Sequence, residues 1–250
     1  MSQTVTHPAV PLPPTSDSGP AADWDAWRAE RRQALTSPTG NLALVETRWL
    51  PAGERPDIEA ARAGQPGTVT VTALERTDLV TGEPEHGLRF WDSASPALRH
   101  FEDTAAFPYD PRWVLEASRT PAPADRRVPF EHIRDNGGTR DLVVPEDIVL
   151  TLDGHTYTLS AFDDDGTLLL VFGDPTNGTT TYGAGRFLFV RRAAHDDRRV
   201  VLDFNRAFVP PCGFSDQYNC PMPPRQNRFH LPVEAGEKLP LFRDGFPAQH

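Results

Sequence analysis

Three turn dipeptides, Asp153-Gly154, Asp165-Gly166 and Asn177-Gly178, recur at intervals of twelve residues in this chain of 250. Asp-Gly and Asn-Gly suit a type I′ turn because both central residues must take positive φ. Such a turn joins neighbouring antiparallel strands. The segments between agree: residues 148–152, 155–162, 167–172 and 179–190 are strand-like runs. Equal spacing with a turn signal at each boundary predicts a β-meander. A fifth strand, 200–205, is expected to return across the charged loop 193–199. Leu168-Leu169-Leu170-Val171-Phe172 is apolar on both faces, which marks a central strand covered on each side.

Proline supports the same class. The chain holds 26 prolines, about twice the usual share, and proline is excluded from helix interiors while suiting turns and strand edges. Five of them (Pro8, Pro11, Pro13, Pro14 and Pro20) lie in residues 1–22 among Ser, Thr and Ala. That composition cannot offset the entropy of ordering, so a disordered tail is expected there. Residues 23–250 are read as a single β-rich domain. Asp23 is placed to cap a short helix through Leu35, with Trp24, Trp27 and Leu35 near one face. Strands are expected at 42–45 and 68–72. Pairing within residues 40–135 is not legible. The expected architecture is mainly β: an antiparallel meander forming a barrel or sandwich, with one short N-terminal helix against it.

A net charge of −10 repels phosphate backbones, so nucleic acid is not an expected partner. No stretch approaches the roughly 20 apolar residues needed to span a bilayer, so a membrane is not expected either. The first residues lack the basic and apolar regions of a secretory signal, which makes a cytoplasmic location the expectation. Neither a Gly-x-Ser-x-Gly elbow, a His-Glu-x-x-His pair nor a phosphate-cradling glycine loop occurs, so no cofactor is expected.

The stretches 181–186, Leu202-Asp203-Phe204-Asn205-Arg206-Ala207-Phe208, Pro210-Pro211-Cys212-Gly213-Phe214-Ser215, Cys220-Pro221-Met222-Pro223-Pro224 and Asn227-Arg228 form a long signature. With Arg89-Phe90-Trp91-Asp92 and Phe107-Pro108-Tyr109-Asp110 upstream, it resembles the bacterial and archaeal family known as domain of unknown function 1684. The resemblance spans roughly residues 24–238 and implies a single unit there. It implies no activity, because none is established for the family.

Among these residues one polar cluster stands out. A hairpin closing on the loop 193–198 puts Arg186 opposite Asn205 and Asp203 opposite Leu188. Alternation then brings Tyr182, Arg186, Asp203 and Asn205 to related sides of the ladder. A guanidinium, a carboxylate and an amide between apolar neighbours can grip a carboxylate or phosphate. The plainer account is a buried ion pair that fixes strand register. Cys212 and Cys220 flank a proline-bounded loop, where a reactive thiol, a redox pair or buried structural cysteine are the alternatives. Their spacing is wrong for zinc, and neither His230 nor Asp216 completes a ligand set, so no metal is expected. Asp163-Asp164-Asp165-Gly166 is read as a turn rather than a calcium loop. Three functions follow in order: a module binding a small anionic or amide-bearing ligand at Arg186, Asp203 and Asn205; an enzyme with Asp203 as base or Cys212 as nucleophile; and an interaction protein docking through its tail.

Overall fold

The computed structural model describes residues 20–78, 81–164, 166–193 and 196–247. Helix α1 (Pro20–Leu35) comes first. It begins three residues before the expected Asp23, since proline tolerates a first helical turn, where its missing N–H has no partner to lose. Residues 1–19 of the proposed tail lie outside the described residues. There follow β1 (Leu44–Trp49), α2 (Ile58–Arg62), β2 (Val69–Thr77), β3 (Pro84–Asp92), α3 (Pro96–His100) and β4 (Phe101–Ala106). Next come β5 (Val114–Pro121), β6 (Arg127–Glu131), β7 (Thr139–Val143), β8 (Glu146–Leu152) and β9 (His155–Asp164). The last strands are β10 (Thr167–Phe172), β11 (Arg186–Ala193), β12 (Asp196–Asp203) and β13 (Glu237–Phe242).

The meander is present: β8 pairs with β9, β9 with β10, β10 with β11 and β11 with β12, all antiparallel. Asp153 and Gly154 take the positive φ values of 49° and 74° that the first turn requires. Asn177-Gly178 differs from expectation. It does not close a two-residue hairpin but sits within a longer loop, residues 173–185, and the strand expected from 179 begins only at Arg186. β5 closes the circle by pairing with β12 on one side and β8 on the other. The product is a closed six-stranded barrel.

Alternation divides the barrel wall into two cores. Leu168, Leu170, Phe172, Leu188, Val200 and Leu202 belong to one apolar cluster, plugged by Phe204, Phe229 and Val233. Phe172, Phe204 and Phe229 meet edge to face, with ring centroids 5.3–5.8 Å apart. The lumen is thus filled by side chains, as in other small barrels. Leu169, Val171 and Phe187 point the other way, into a cluster shared with Trp27 and Leu35 of α1 and with Phe101, Phe208 and Phe214. Both faces of β10 are therefore covered, as its all-apolar run requires. Arg31 fastens α1 to this layer, donating to Glu237 Oε1 at 3.1 Å and the Val209 carbonyl at 2.8 Å.

The remaining strands build three further pieces. β13 pairs with β4 and β6 with β7, while β1, β3 and β2 form a three-stranded sheet with β3 in the centre. One sheet face buries Val69, Val71, Leu88 and Phe90 in a small satellite cluster. The other face looks towards residues 134–140, which lead into β7, and the loop 216–220, across a cleft. No described helix is long and apolar enough to cross a membrane.

Candidate functional site

Arg186 does not meet Asp203 or Asn205. β11 and β12 pair Arg191 with Val201, one residue away from the expected register. Because side chains alternate with a period of two, that single slip puts Arg186 and Asp203 on opposite faces. Arg186 turns instead to the loop that precedes it. Its Nη2 donates to Asp174 Oδ2 at 2.8 Å and to the Val233 carbonyl at 2.7 Å. Its Nη1 donates to the Ala235 carbonyl, and the guanidinium lies 5.1 Å over the Phe172 ring. Both partners of the ion pair have 0% exposed side chains. Burial pulls the guanidinium pKa down, and Asp174 opposes the shift. Arg186 is a clasp between the start of β11 and the segment 233–235 that precedes β13.

Asp203 has its own ring of partners. Its Oδ1 accepts from the Asn205 backbone N–H and Nδ2 at 3.2 and 3.0 Å, and its Oδ2 faces Arg206 Nε at 3.1 Å and Arg191 Nη2 at 3.5 Å. Asn205 lies in a 3-10 turn, Phe204–Arg206, rather than a strand. It ties that turn to Asp110, accepting from its N–H at 2.9 Å and donating to its carbonyl at 3.0 Å. With its lone pairs so committed, Asp203 is poorly placed to act as a base. Tyr182 is buried, donating to the Cys212 carbonyl at 3.1 Å. Cys212 and Cys220 are free thiols, both buried. Of the four expected binding residues the structure brings together only Asp203 and Asn205. Among the described residues no three of His, Cys, Asp and Glu assemble into a metal-holding group.

A different site comes from residues with no sequence motif. The cleft beneath the three-stranded sheet has a volume of about 350 Å³, within the lower range for small-molecule sites. Its floor is set by alternation: Thr47 and Trp49 of β1, Arg89 of β3, and Leu74 and Arg76 of β2 share one face through the pairs Thr47–Arg89, Trp49–Gly87 and Leu74–Gly87. Gly87 keeps this floor open, since a Cβ there would stand 2.8 Å from the Arg48 carbonyl and 3.0 Å from both Leu74 and Trp49. Arg134, Tyr218 and Asn219 come from the facing loops and Arg140 from the start of β7.

Four guanidinium groups therefore line one cavity, each held differently. Arg76 lies flat on Trp49, 3.8 Å from the ring centroid, and pairs with Glu85 at 2.6 Å. Arg89 lies 5.1 Å over Tyr218, and burial pulls its pKa down against the influence of Tyr218 and Cys220. Arg140 is clamped by Asp135 at 2.6 and 3.0 Å and by the Thr77 carbonyl at 2.8 Å. Burial works against the Asp135 charge, but Arg140 and the Asn219 amide outweigh it and hold the carboxyl below its ordinary pKa. Arg134 donates its Nε to the Tyr218 carbonyl at 3.1 Å and forms no ion pair among the described residues. Glu75 and Asp216 add two carboxylates to the rim. The arginines come from four separate segments, so no spacing could have announced them.

A model of the family described as "Protein of unknown function (DUF1684)" matches residues 99–238. That span is narrower than the sequence signature suggested: it includes Phe107-Pro108-Tyr109-Asp110 but leaves out Arg89-Phe90-Trp91-Asp92. Among solved structures, the solution NMR structure of an uncharacterized protein of Haloarcula marismortui is 32% identical, covering 55% of this chain and 77% of that one, with a TM-score of 0.45. No curated protein matches.

Proposed function

The chain belongs to the DUF1684 family of proteins of unknown function, and we propose that its arginine-lined cleft binds a small anionic molecule. The observation that carries this reading is the gathering of Arg76, Arg89, Arg134 and Arg140 around one cavity in a chain whose net charge is −10. Repulsion among four cations is tolerated where carboxylates or a ligand neutralise them. Glu85 and Asp135 serve Arg76 and Arg140, which leaves Arg134 to meet an incoming anion. Rings hold Arg76 and Arg89 in plane, so their N–H edges are ordered before a carboxylate or phosphate arrives. Preorganisation of this kind lowers the cost of binding.

The test is a thermal-shift panel of inorganic phosphate, small mono- and dicarboxylates and phosphate monoesters at low salt, run on wild type and Arg134→Gln. At least one anion should raise the wild-type melting temperature, and the rise should shrink in the variant and at high salt. Arg134 is exposed, so its replacement should leave the ligand-free melting temperature near wild type. A panel without any shift, or shifts identical in the two proteins, overturns the reading.

A further inference from the structure

The cleft wall from Asp216 to Cys220 is part of a segment bracketed by the chain's two cysteines. The Cys212 backbone N–H donates to Cys220 Sγ at 3.3 Å, so the Cys220 sulfur lies against the residue it would have to bridge. The sulfur of one cysteine thus stands beside the backbone of the other, a proximity from which an internal bridge can form. The pair lies in an apolar cluster with Tyr182, Phe214 and Tyr218, yet Cys220 also lines the cleft. Cys220 is 2% and Cys212 4% exposed, so the approach for a small reagent is the cleft, whose lining includes Cys220.

We propose that Cys212 and Cys220 are a dithiol modification site, oxidised through the cleft by a low-molecular-weight disulfide to an internal bridge that staples segment 212–220. In the first step the Cys220 thiol passes its proton to water and its thiolate attacks RSSR. A Cys220–SR bond forms as the RS–SR bond breaks, and the departing RS⁻ takes up a proton. The Cys212 thiolate then attacks the Cys220 sulfur, the protein disulfide forms, and a second RSH leaves. Two thiols are oxidised and one RSSR is reduced to two RSH, so atoms and electrons balance. The order suits the environment: the hydrogen bond from Cys220 holds the Cys212 thiol below its ordinary pKa, favouring it as the resolving thiolate. Burial pushes Cys220 up, which makes the first step the slow one.

The experiment treats the full chain with hydroxyethyl disulfide, quenches in acid, counts thiols under denaturing conditions and measures intact mass. Wild type should lose both thiols and the mass of two hydrogens, with no retained adduct. Cys212→Ser should accumulate the hydroxyethyl adduct, and Cys220→Ser should stay unmodified while folded. In the oxidised wild type, amide exchange across residues 213–219 should slow. Thiols that persist until urea unfolds the wild type, or an adduct that is never resolved, overturn the proposal. Unchanged exchange in the oxidised protein overturns the stapling. These readouts concern wild type first, and they stand whether or not any anion binds the cleft.

Discussion

At the scale of the residue, Arg186 and His132 show what burial demands of a polar group. Replacing Arg186 by Met would strand the Asp174 carboxylate, whose side chain is 0% exposed, and leave the Val233 and Ala235 carbonyls without their donor. A loss of about 3–5 kcal/mol is expected, as for other half-broken buried pairs, and urea melts of wild type and Arg186→Met measure it. A loss below about 1 kcal/mol would mean that water reaches Asp174. His132 is a buried base: desolvation lowers its pKa to about 4, against a hydrogen bond at 3.1 Å between Nδ1 and the Phe130 carbonyl. Its folded pKa lies below the unfolded value near 6.5. The unfolded chain therefore takes up this proton first as pH falls. The contribution of His132 to stability is whole above about pH 6.5 and declines towards about pH 4, by up to about 3 kcal/mol. His132→Gln should flatten that part of the stability profile, and an unchanged slope would assign it to other groups. The resemblance already singled out Arg186 as part of a signature, but its partner Asp174 could not be read there, because a one-residue register slip chooses it.

At the scale of the element, local chemistry and tertiary packing divide the work. The Asp153-Gly154 turn formed as its φ demand predicts, and β10 is buried on both faces as its composition predicts. The third dipeptide did not make a hairpin. There Asp174, Thr176 and Asn177 hydrogen-bond within residues 173–182, and side-chain donors compete with the ladder for the same backbone. In α1 the apolar residues Trp27 and Leu35 were legible, whereas the buried Arg31 was not. A charge on that face is tolerated only because Glu237 meets it from a distant strand. The central sheet strand supplies an element-scale prediction. Gly87→Ala places a Cβ 2.8 Å from the Arg48 carbonyl in the neighbouring strand, where backbone cannot yield as a flexible side chain would. A cost of about 1–3 kcal/mol is expected, with the Trp49 and Leu74 floor displaced. Near-UV circular dichroism and urea melts of the variant report both, and an unperturbed Trp signal with full stability would contradict the packing described.

At the scale of the whole molecule, stability should be uneven. The barrel carries cores on both sides of its wall, while the far end of the three-stranded sheet rests on a satellite cluster of Val69, Val71, Leu88 and Phe90. Native-state hydrogen exchange should therefore show amides at 74–77 and 84–87 opening at lower free energy than those of β10. Equal protection would mean that the sheet and the barrel unfold as one unit. The meander itself was determined by the sequence alone, because turn dipeptides impose positive φ locally and period-two alternation needs no partner to be recognised. The barrel rather than a sandwich, and the cleft, were decided by the tertiary structure. Barrel closure depends on β5 joining β12, some eighty positions later in the chain, and residues 114–121 have no local mark of that pairing. The four cleft arginines stand on segments distant in sequence that meet where the sheet faces residues 134–140 and 216–220. Burial and charge pairing between distant segments act on positions in space. Neighbours in sequence do not record them, so a register slip of one residue redirected Arg186 and left the cleft unannounced.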